Sequence, residues 1–355
     1  MRPKHKSNLD LPPRMLRRVR KRRDGTQWDT YYYNGRDENG NRTEIPLGSD
    51  LDIAKMEWAK LERKKRPISI RKLGDLFDRY ERDIIPAKKP ATQRCNMLCL
   101  KQLRPAFADA PVESITPQVI AQYRDTRSAK VRANREIALL SHIFNLAREW
   151  GVTEKENPVA GVRKNRERPR EFYATEEVWN AVYNKAVPEL KDAMDLAYLT
   201  GQRPADVLRM RATDLVGEHL LVAQGKTSKK LRIQLVISGE RTALGKLTER
   251  LVAQRLTRGI RNPYLVLTED GRNVTAPMLR LRFDEARRKA ATEAIASQDA
   301  VLAGLVSQFQ FRDIRPKAAS EIEDLTHASR LLGHSDRRIT ETVYRRVGEI
   351  VKPTR

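Results

Sequence analysis

Residues 311–344 read FRDIRPKAASEIEDLTHASRLLGHSDRRITETVY, and the rest of the chain is organised around them. Arg312 and Arg315 lie one helical turn apart, so both can point into one cleft. Leu331-Leu332-Gly333-His334 follows on a second helical segment, which Gly333 is placed to end. Tyr344 comes ten residues after His334, with Arg345 and Arg346 behind it. A tyrosine near a chain end ordinarily caps a core or lies on the surface. The company of this one suggests chemistry, because a nucleophile, an imidazole and fixed guanidiniums are what phosphoryl transfer without a metal requires. Guanidiniums bind the two non-bridging oxygens of a phosphodiester in bidentate fashion. They also offset the charge that builds on those oxygens in the transition state.

A second motif lies upstream, Leu199-Thr200-Gly201-Gln202-Arg203-Pro204-Ala205-Asp206. Gly201 ends one helix and Pro204 begins the next. Arg203 is thereby placed at a tight corner beside a helix N-terminus, where an anion is favoured. Residues 219–224 and 231–237 alternate as two strands, joined by Gly225-Lys226-Thr227-Ser228-Lys229-Lys230. Read alone, those lysines are a solvated hairpin tip.

The chain has 355 residues, 39% of them hydrophobic, and a net charge of +24. That is enough material for two or three ordinary domains. The charge implies a polyanionic partner, and nucleic acid comes first. A membrane surface would need a basic helix with a Trp- and Phe-rich apolar face, and none stands out. No apolar run approaches transmembrane length, and no apolar run with a cleavage site follows the basic start, so no secretory signal is expected. Cys95 and Cys99, four apart on an expected helix, lack neighbouring histidines, which favours buried thiols over zinc. A cytosolic, reduced setting is expected.

Residues 1–23 carry ten Lys or Arg against one acid, Asp10. Strands are expected at 15–20, 28–33 and 42–47, with turns at Asp24-Gly25 and Asn39-Gly40. A helix follows Gly48-Ser49-Asp50, with Ile53, Met56, Ala59 and Trp58 on or near its apolar side. Trp28 and Tyr32 fall on one face of the sheet, Tyr31 and Tyr33 on the other. The run Arg63 to Pro67 marks a boundary. Helices are expected over 70–84, 91–103, 117–127 (after a Thr116 cap) and 131–150. Asn157-Pro158 and the basic run 163–170 mark a linker expected to lie along DNA.

The C-terminal stretch resembles the signature of the tyrosine recombinases, and the whole chain looks like a phage integrase of the lambda type. That family shows His-x-x-Arg, then Leu-Gly-His, then Tyr about ten residues on. Arg315, His334 and Tyr344 match it, and Arg312 stands where the first His usually does. TGQR matches the family's first box, with Asp206 in place of the usual Glu. The resemblance implies a multidomain α+β fold. Its parts are an arm-type DNA-binding domain at 1–63 (three-stranded sheet plus helix), an all-α core-binding bundle at 67–163, and a mainly α catalytic domain at 170–355 with a small antiparallel sheet. It implies Tyr344 as nucleophile, Arg203, Arg312 and Arg315 as phosphate ligands, and His334 as donor or proton partner. Lys226 becomes the general acid on the departing 5′ oxygen, with Lys229 the runner-up. No cofactor and no metal are implied.

The implied activity is site-specific cutting and rejoining of double-stranded DNA through a 3′-phosphotyrosyl intermediate, to integrate or excise a phage genome. The implied partners are core-type and arm-type attachment sites, a homotetramer on DNA, a host DNA-bending protein and an excisionase, with no membrane. The implied location is the bacterial cytoplasm, at the nucleoid. A type IB topoisomerase shares this chemistry. A DNA-binding protein with an inactive site shares the basic charge. Arg312 is the discriminating departure: His there can exchange a proton near neutrality, whereas Arg can only donate. The alternative for Arg312 is an ion pair with Asp313 or Glu321.

Overall fold

A computed structural model describes residues 8, 10–21, 23–36, 41–65 and 71–348. The turn expected at Asn39-Gly40 and the end of the 63–67 boundary lie outside them. The chain divides into two compact units, residues 1–167 and 168–355.

The first unit opens with three antiparallel strands, β1 (Met15–Lys21), β2 (Gln27–Arg36) and β3 (Arg42–Gly48), in the order β1-β2-β3. Tyr31 and Tyr33 are buried with Met15 and Leu47. On the opposite face Arg18 pairs with Thr30 and Arg20 with Trp28. The Arg18 guanidinium lies 4.8 Å from the Tyr32 ring centre, a cation–π contact. The face away from the helix is therefore basic and aromatic.

Helix α1 (Leu51–Lys65) covers the sheet differently from the expectation. Ala54 is fully buried with Trp58 and Leu61 beside it, whereas Ile53 and Met56 are 58% and 63% exposed. The two tyrosines fill the space beneath the helix, so it closes on them with a small residue. Polar bonds set its register: Trp58 Nε1 donates to the Pro13 carbonyl and the Tyr33 hydroxyl to Glu62, both at 2.8 Å.

Four helices follow, α2 (Leu73–Asp83), α3 (Pro90–Phe107), α4 (Pro117–Thr126) and α5 (Lys130–Glu149), around a core that includes Leu76, Phe77, Leu100, Leu103, Leu140 and Ile143. Thr116 caps α4 as its sequence predicts, accepting from the Val119 N–H. Within the bundle Glu136 is fully buried, and both its oxygens accept from Arg127, at 2.8 and 2.9 Å. The first part of the basic linker is pinned down: Asn134 on α5 exchanges two hydrogen bonds of 2.9 Å with the backbone of Asn165.

The second unit begins with α6 (Glu176–Asn184), α7 (Pro188–Thr200) and the one-turn α8 (Pro204–Val207). A sheet of β4 (Leu215–Val216), β5 (His219–Ala223) and β6 (Lys230–Gln234) comes next. The strand expected over 231–237 is broken at Leu235, whose N–H returns to the Glu218 carbonyl. Beyond the break β7 (Val236–Ile237) pairs with β8 (Glu240–Arg241) instead. Helices α9 (Ala243–Thr257), α10 (Ala276–Ala296), α11 (Ala300–Gln308) and α12 (Ile314–Ser320) complete one large core, and α13 (Leu325–Leu332) follows. Among the described residues no helix is long and apolar enough to cross a membrane.

Candidate active site

Two left-handed glycines shape the site. Gly201 ends α7 at φ +62° and Gly333 ends α13 at φ +68°. Conformation favours glycine at both, and space adds to it: a Cβ on Gly333 would stand 2.8 Å from Gln224 Nε2, so that side chain would have to shift, and one on Gly201 would press on Leu332 at 3.1 Å. The two helix ends meet over a buried amide relay. Gln202 Nε2 donates to the Thr200 and Leu331 carbonyls, both at 2.8 Å. Gln224 Nε2 donates to Gln202 Oε1 at 2.7 Å and to the Leu332 carbonyl at 2.9 Å.

Arg203 caps the N-terminus of α8, and its Nη1 donates to Gln224 Oε1 at 3.2 Å. Asp206 is more distant from Arg203, at 3.9 Å. Its closer partners are the Arg209 guanidinium and the Gly225 N–H, the latter at 2.9 Å, so it fixes the start of the β5–β6 hairpin.

Arg315 is only 3% exposed. Its Nη1 donates to the Gly201 carbonyl at 2.7 Å and its Nη2 to the Leu332 carbonyl at 2.8 Å, joining the two helix ends. Its Nε is buried with no hydrogen-bond partner among the described residues. Burial first, then the Arg203 charge, lowers its pKa to about 10, against the raising effect of Tyr344. It therefore stays charged at neutral pH.

The same Nη2 lies 3.1 Å from His334 Nε2. A guanidinium only donates, so Nε2 accepts and the ring proton sits on Nδ1, which donates to Thr340 Oγ1 at 2.8 Å. Burial, then Arg315, then Arg203 pull the His334 pKa down to about 4, so the imidazole is neutral. The His334 and Tyr344 rings are 4.8 Å apart, and the Arg315 guanidinium lies 5.1 Å from the Tyr344 ring centre. Tyr344 ends a π-helical turn, Thr340–Tyr344.

In the DNA-free protein the His334 imidazole should titrate near pH 4 by NMR, with His334→Gln assigning the signal. A midpoint near the ordinary 6.5 would show that the ring is neither buried nor faced by the two cations. The sign for stability follows. Between about 6.5 and 4 the unfolded chain takes the proton first, so this contribution is complete above that window and shrinks as pH falls through it.

The structure thus brings Arg203, Arg315, His334 and Tyr344 together. It leaves three expected residues at the rim. Lys226 and Lys229 are exposed at the β5–β6 tip, with no side-chain partner among the described residues. Arg312 is also exposed, on the turn before α12, and makes no hydrogen bond or ion pair among them. It lines a cleft of about 440 Å³ with Pro204, Arg280, Arg287 and Phe311. The ion pairs considered for it do not form, because Asp313 is taken by Arg170 and Arg346 and Glu321 by Lys317. Tyr173 and Tyr198 both donate to Glu321, and burial with that carboxylate raises both of their pKa values, which makes them poor nucleophiles.

Residues 172–349 match the family model for the phage integrase family. The chain belongs to that family. This integrase-family chain is 32% identical over 248 residues to the integrase of Enterobacteria phage 434, covering 63% of this chain and 65% of the relative. The matched segment thus spans just under two-thirds of that relative's length. The fold matches a lambda integrase dimer bound to a COC' core site, with a TM-score of 0.63 at 23% identity, over 97% of this chain and 98% of that one. It also matches a lambda integrase tetramer bound to a Holliday junction, with a TM-score of 0.60 at 22% identity, over 92% and 97%.

Proposed function

We propose that this integrase-family chain is a site-specific DNA recombinase, in which the Tyr344 hydroxyl attacks a phosphodiester and releases a 5′ hydroxyl. The observation that carries this reading is the contact of Tyr344 with both His334 and the buried Arg315. Arg203 and Arg315 hold the non-bridging oxygens, as guanidiniums do for a phosphodiester. A free phenol has a pKa of about 10, and these cations favour its phenolate in the transition state. His334, neutral at rest, can accept a proton or, after a tautomer change, donate to phosphate. Lys226 is the general acid and Lys229 the runner-up. The phosphotyrosyl bond conserves the energy of the phosphodiester, so a second 5′ hydroxyl can reverse the step and join new strands.

A duplex nicked beside the scissile phosphate tests this directly. It loses its 5′ fragment on cleavage and traps the protein in a denaturation-resistant adduct. A topoisomerase reading predicts relaxation of supercoiled DNA without a second site. An inactive DNA-binding protein predicts no adduct at all.

The partners proposed are core-type and arm-type attachment sites and a homotetramer on DNA, with a host DNA-bending protein and an excisionase, in the cytoplasm and nucleoid of a bacterial host. The three-part division at 1–63, 67–163 and 170–355 belongs to the same proposal, supported by separate hydrophobic clusters around Tyr33 and around Leu140. The outer face of β1 and β2 then reads arm-type DNA. Arg20→Glu, on that face, should abolish arm-site binding in a gel-shift assay and leave core-site cleavage at the parent rate. Equal loss at both sites would contradict the division.

Arg312 is proposed as a phosphate ligand reached from the cleft beside Pro204. Arg312→Ala should slow single-turnover cleavage by roughly 10²- to 10³-fold, the loss usual for one transition-state donor, and Arg312→His should retain much of the activity. Cleavage by the alanine variant at the parent rate would put this residue outside the site.

A further inference from the structure

We infer that Arg346 is a positioning residue that seats Tyr344, and that the buried Asp313 carboxylate ties this seat to residues 170–172. The inference rests on the reading of Tyr344 as the nucleophile and adds what holds it in place.

Tyr344 ends a single π-helical turn, a conformation that is rare and weakly self-supporting. Its position therefore depends on what the chain binds immediately afterwards. Two tethers lie within two residues. Ser320, at the end of the helix that carries Arg315, donates from Oγ to the Tyr344 carbonyl at 3.2 Å and accepts from the Arg346 N–H at 2.8 Å. The Arg346 side chain, 10% exposed, then reaches inward to Asp313, whose side chain is fully buried.

Asp313 is shared. Its Oδ1 accepts from Arg346 Nη1 and from Arg170 Nε, both at 2.9 Å. Its Oδ2 accepts from Arg170 Nη2 at 2.9 Å and from the Gln310 N–H at 3.0 Å. Arg346 Nη1 also donates to the Phe172 carbonyl, and Arg170 Nη2 to the Gln308 carbonyl. Residues 170–172, the turn before α12 and the tyrosine segment thus converge on one carboxylate. A displacement of the chain at 170–172 removes the Phe172 carbonyl from Arg346 and the Arg170 guanidinium from the Asp313 carboxylate that Arg346 also holds, and is felt two residues from the nucleophile.

The chemistry of the junction decides which variants inform. Loss of Asp313 would strand the largely buried Arg346 guanidinium and the partly exposed Arg170 one, and threaten the fold. Loss of Arg346 leaves Asp313 with the Arg170 pair and the Gln310 N–H, so the unit keeps its core and only the seat is lost. The experiment uses the full chain with Arg346→Ala, Arg346→Lys, Arg170→Ala and the Arg170→Ala/Arg346→Ala double variant. Three quantities are read: affinity for the nicked duplex, the single-turnover rate of adduct formation, and the NMR signals of His334. Those signals report the seat independently of activity, because the Tyr344 ring lies 4.8 Å from the imidazole.

Arg346→Ala should bind DNA as the parent does, form adduct about 10- to 100-fold more slowly, as expected for a misplaced reactive group, and shift the His334 signals towards those of Tyr344→Ala. Arg346→Lys should recover part of both. The double variant should lose less than the product of the two single effects, because both arginines act on one carboxylate. Unchanged His334 signals in Arg346→Ala would overturn the seat. Multiplicative effects in the double variant would overturn the tie to residues 170–172. Failure of the Tyr344 reading has a different mark, an adduct formed without that hydroxyl.

Discussion

A Tyr344→Phe protein should bind its duplex with the parent's affinity and yield no covalent adduct. The loss is stoichiometric, because the missing oxygen is the atom that would carry the phosphate. The rest of the site should be preserved, since the phenylalanine ring can still pack on His334 and under the Arg315 guanidinium. Neither Tyr173 nor Tyr198 is ready to substitute. Tyr173 and Tyr198 both donate to Glu321, and the carboxylate that holds them also opposes their ionisation. The measurement is a labelled nicked duplex resolved under denaturing conditions, beside a gel shift of the intact complex. Any protein–DNA adduct from the variant would remove Tyr344 from its assigned role, and Tyr173 and Tyr198 would be the next side chains to change.

The part of the candidate site to which chemistry is assigned was legible because the proposed chemistry restricts residue type. Arg203, Arg315, His334 and Tyr344 could be named from spacing and resemblance, and the structure gathers them. The supporting half was not legible. Gln202 is an unremarkable letter between Gly201 and Arg203, yet its amide joins Thr200, Leu331 and Gln224. Nothing local marks Gln224 as its partner, since the pairing exists only once the β5–β6 hairpin lies against two helix ends. Asp313 was seen as a candidate partner for its neighbour Arg312, whereas the fold turns it inward to Arg170 and Arg346. The same limit applied to helices. The buried stripe of α10 includes Ala286, Ala290 and Ala294, spaced four apart, which gives little hydrophobic contrast. In α1 the larger apolar residues Ile53 and Met56 point outward, and Ala54 takes the core position. Periodicity shows that a helix forms, but the size of what lies beneath decides which face is buried.

Arg315→Ala should damage stability and chemistry together, and the two losses can be separated. The guanidinium donates to the Gly201 and Leu332 carbonyls at the ends of α7 and α13. Each buried acceptor left without a donor costs about 1–3 kcal/mol, so the variant should melt measurably below the parent even without DNA. Gln224 still donates to the Leu332 carbonyl, which softens the loss at that end. On DNA the loss of a transition-state donor should slow adduct formation by a further roughly 10²- to 10³-fold, read at saturating duplex and at a temperature where the variant is folded. His334 supplies the internal check. Burial is the first cause of its low pKa and persists in the variant, whereas the Arg315 charge, the second cause, is gone. Its titration should therefore move up from about 4 without reaching the ordinary value. Arg315→Lys should keep the charge near the imidazole but not both helix-end bonds, because a point charge cannot reproduce the planar fork. It should titrate closer to the parent than the alanine variant does, yet cleave poorly. An alanine variant that melts lower but forms adduct within tenfold of the parent rate would make Arg315 a strut between two helix ends and nothing more.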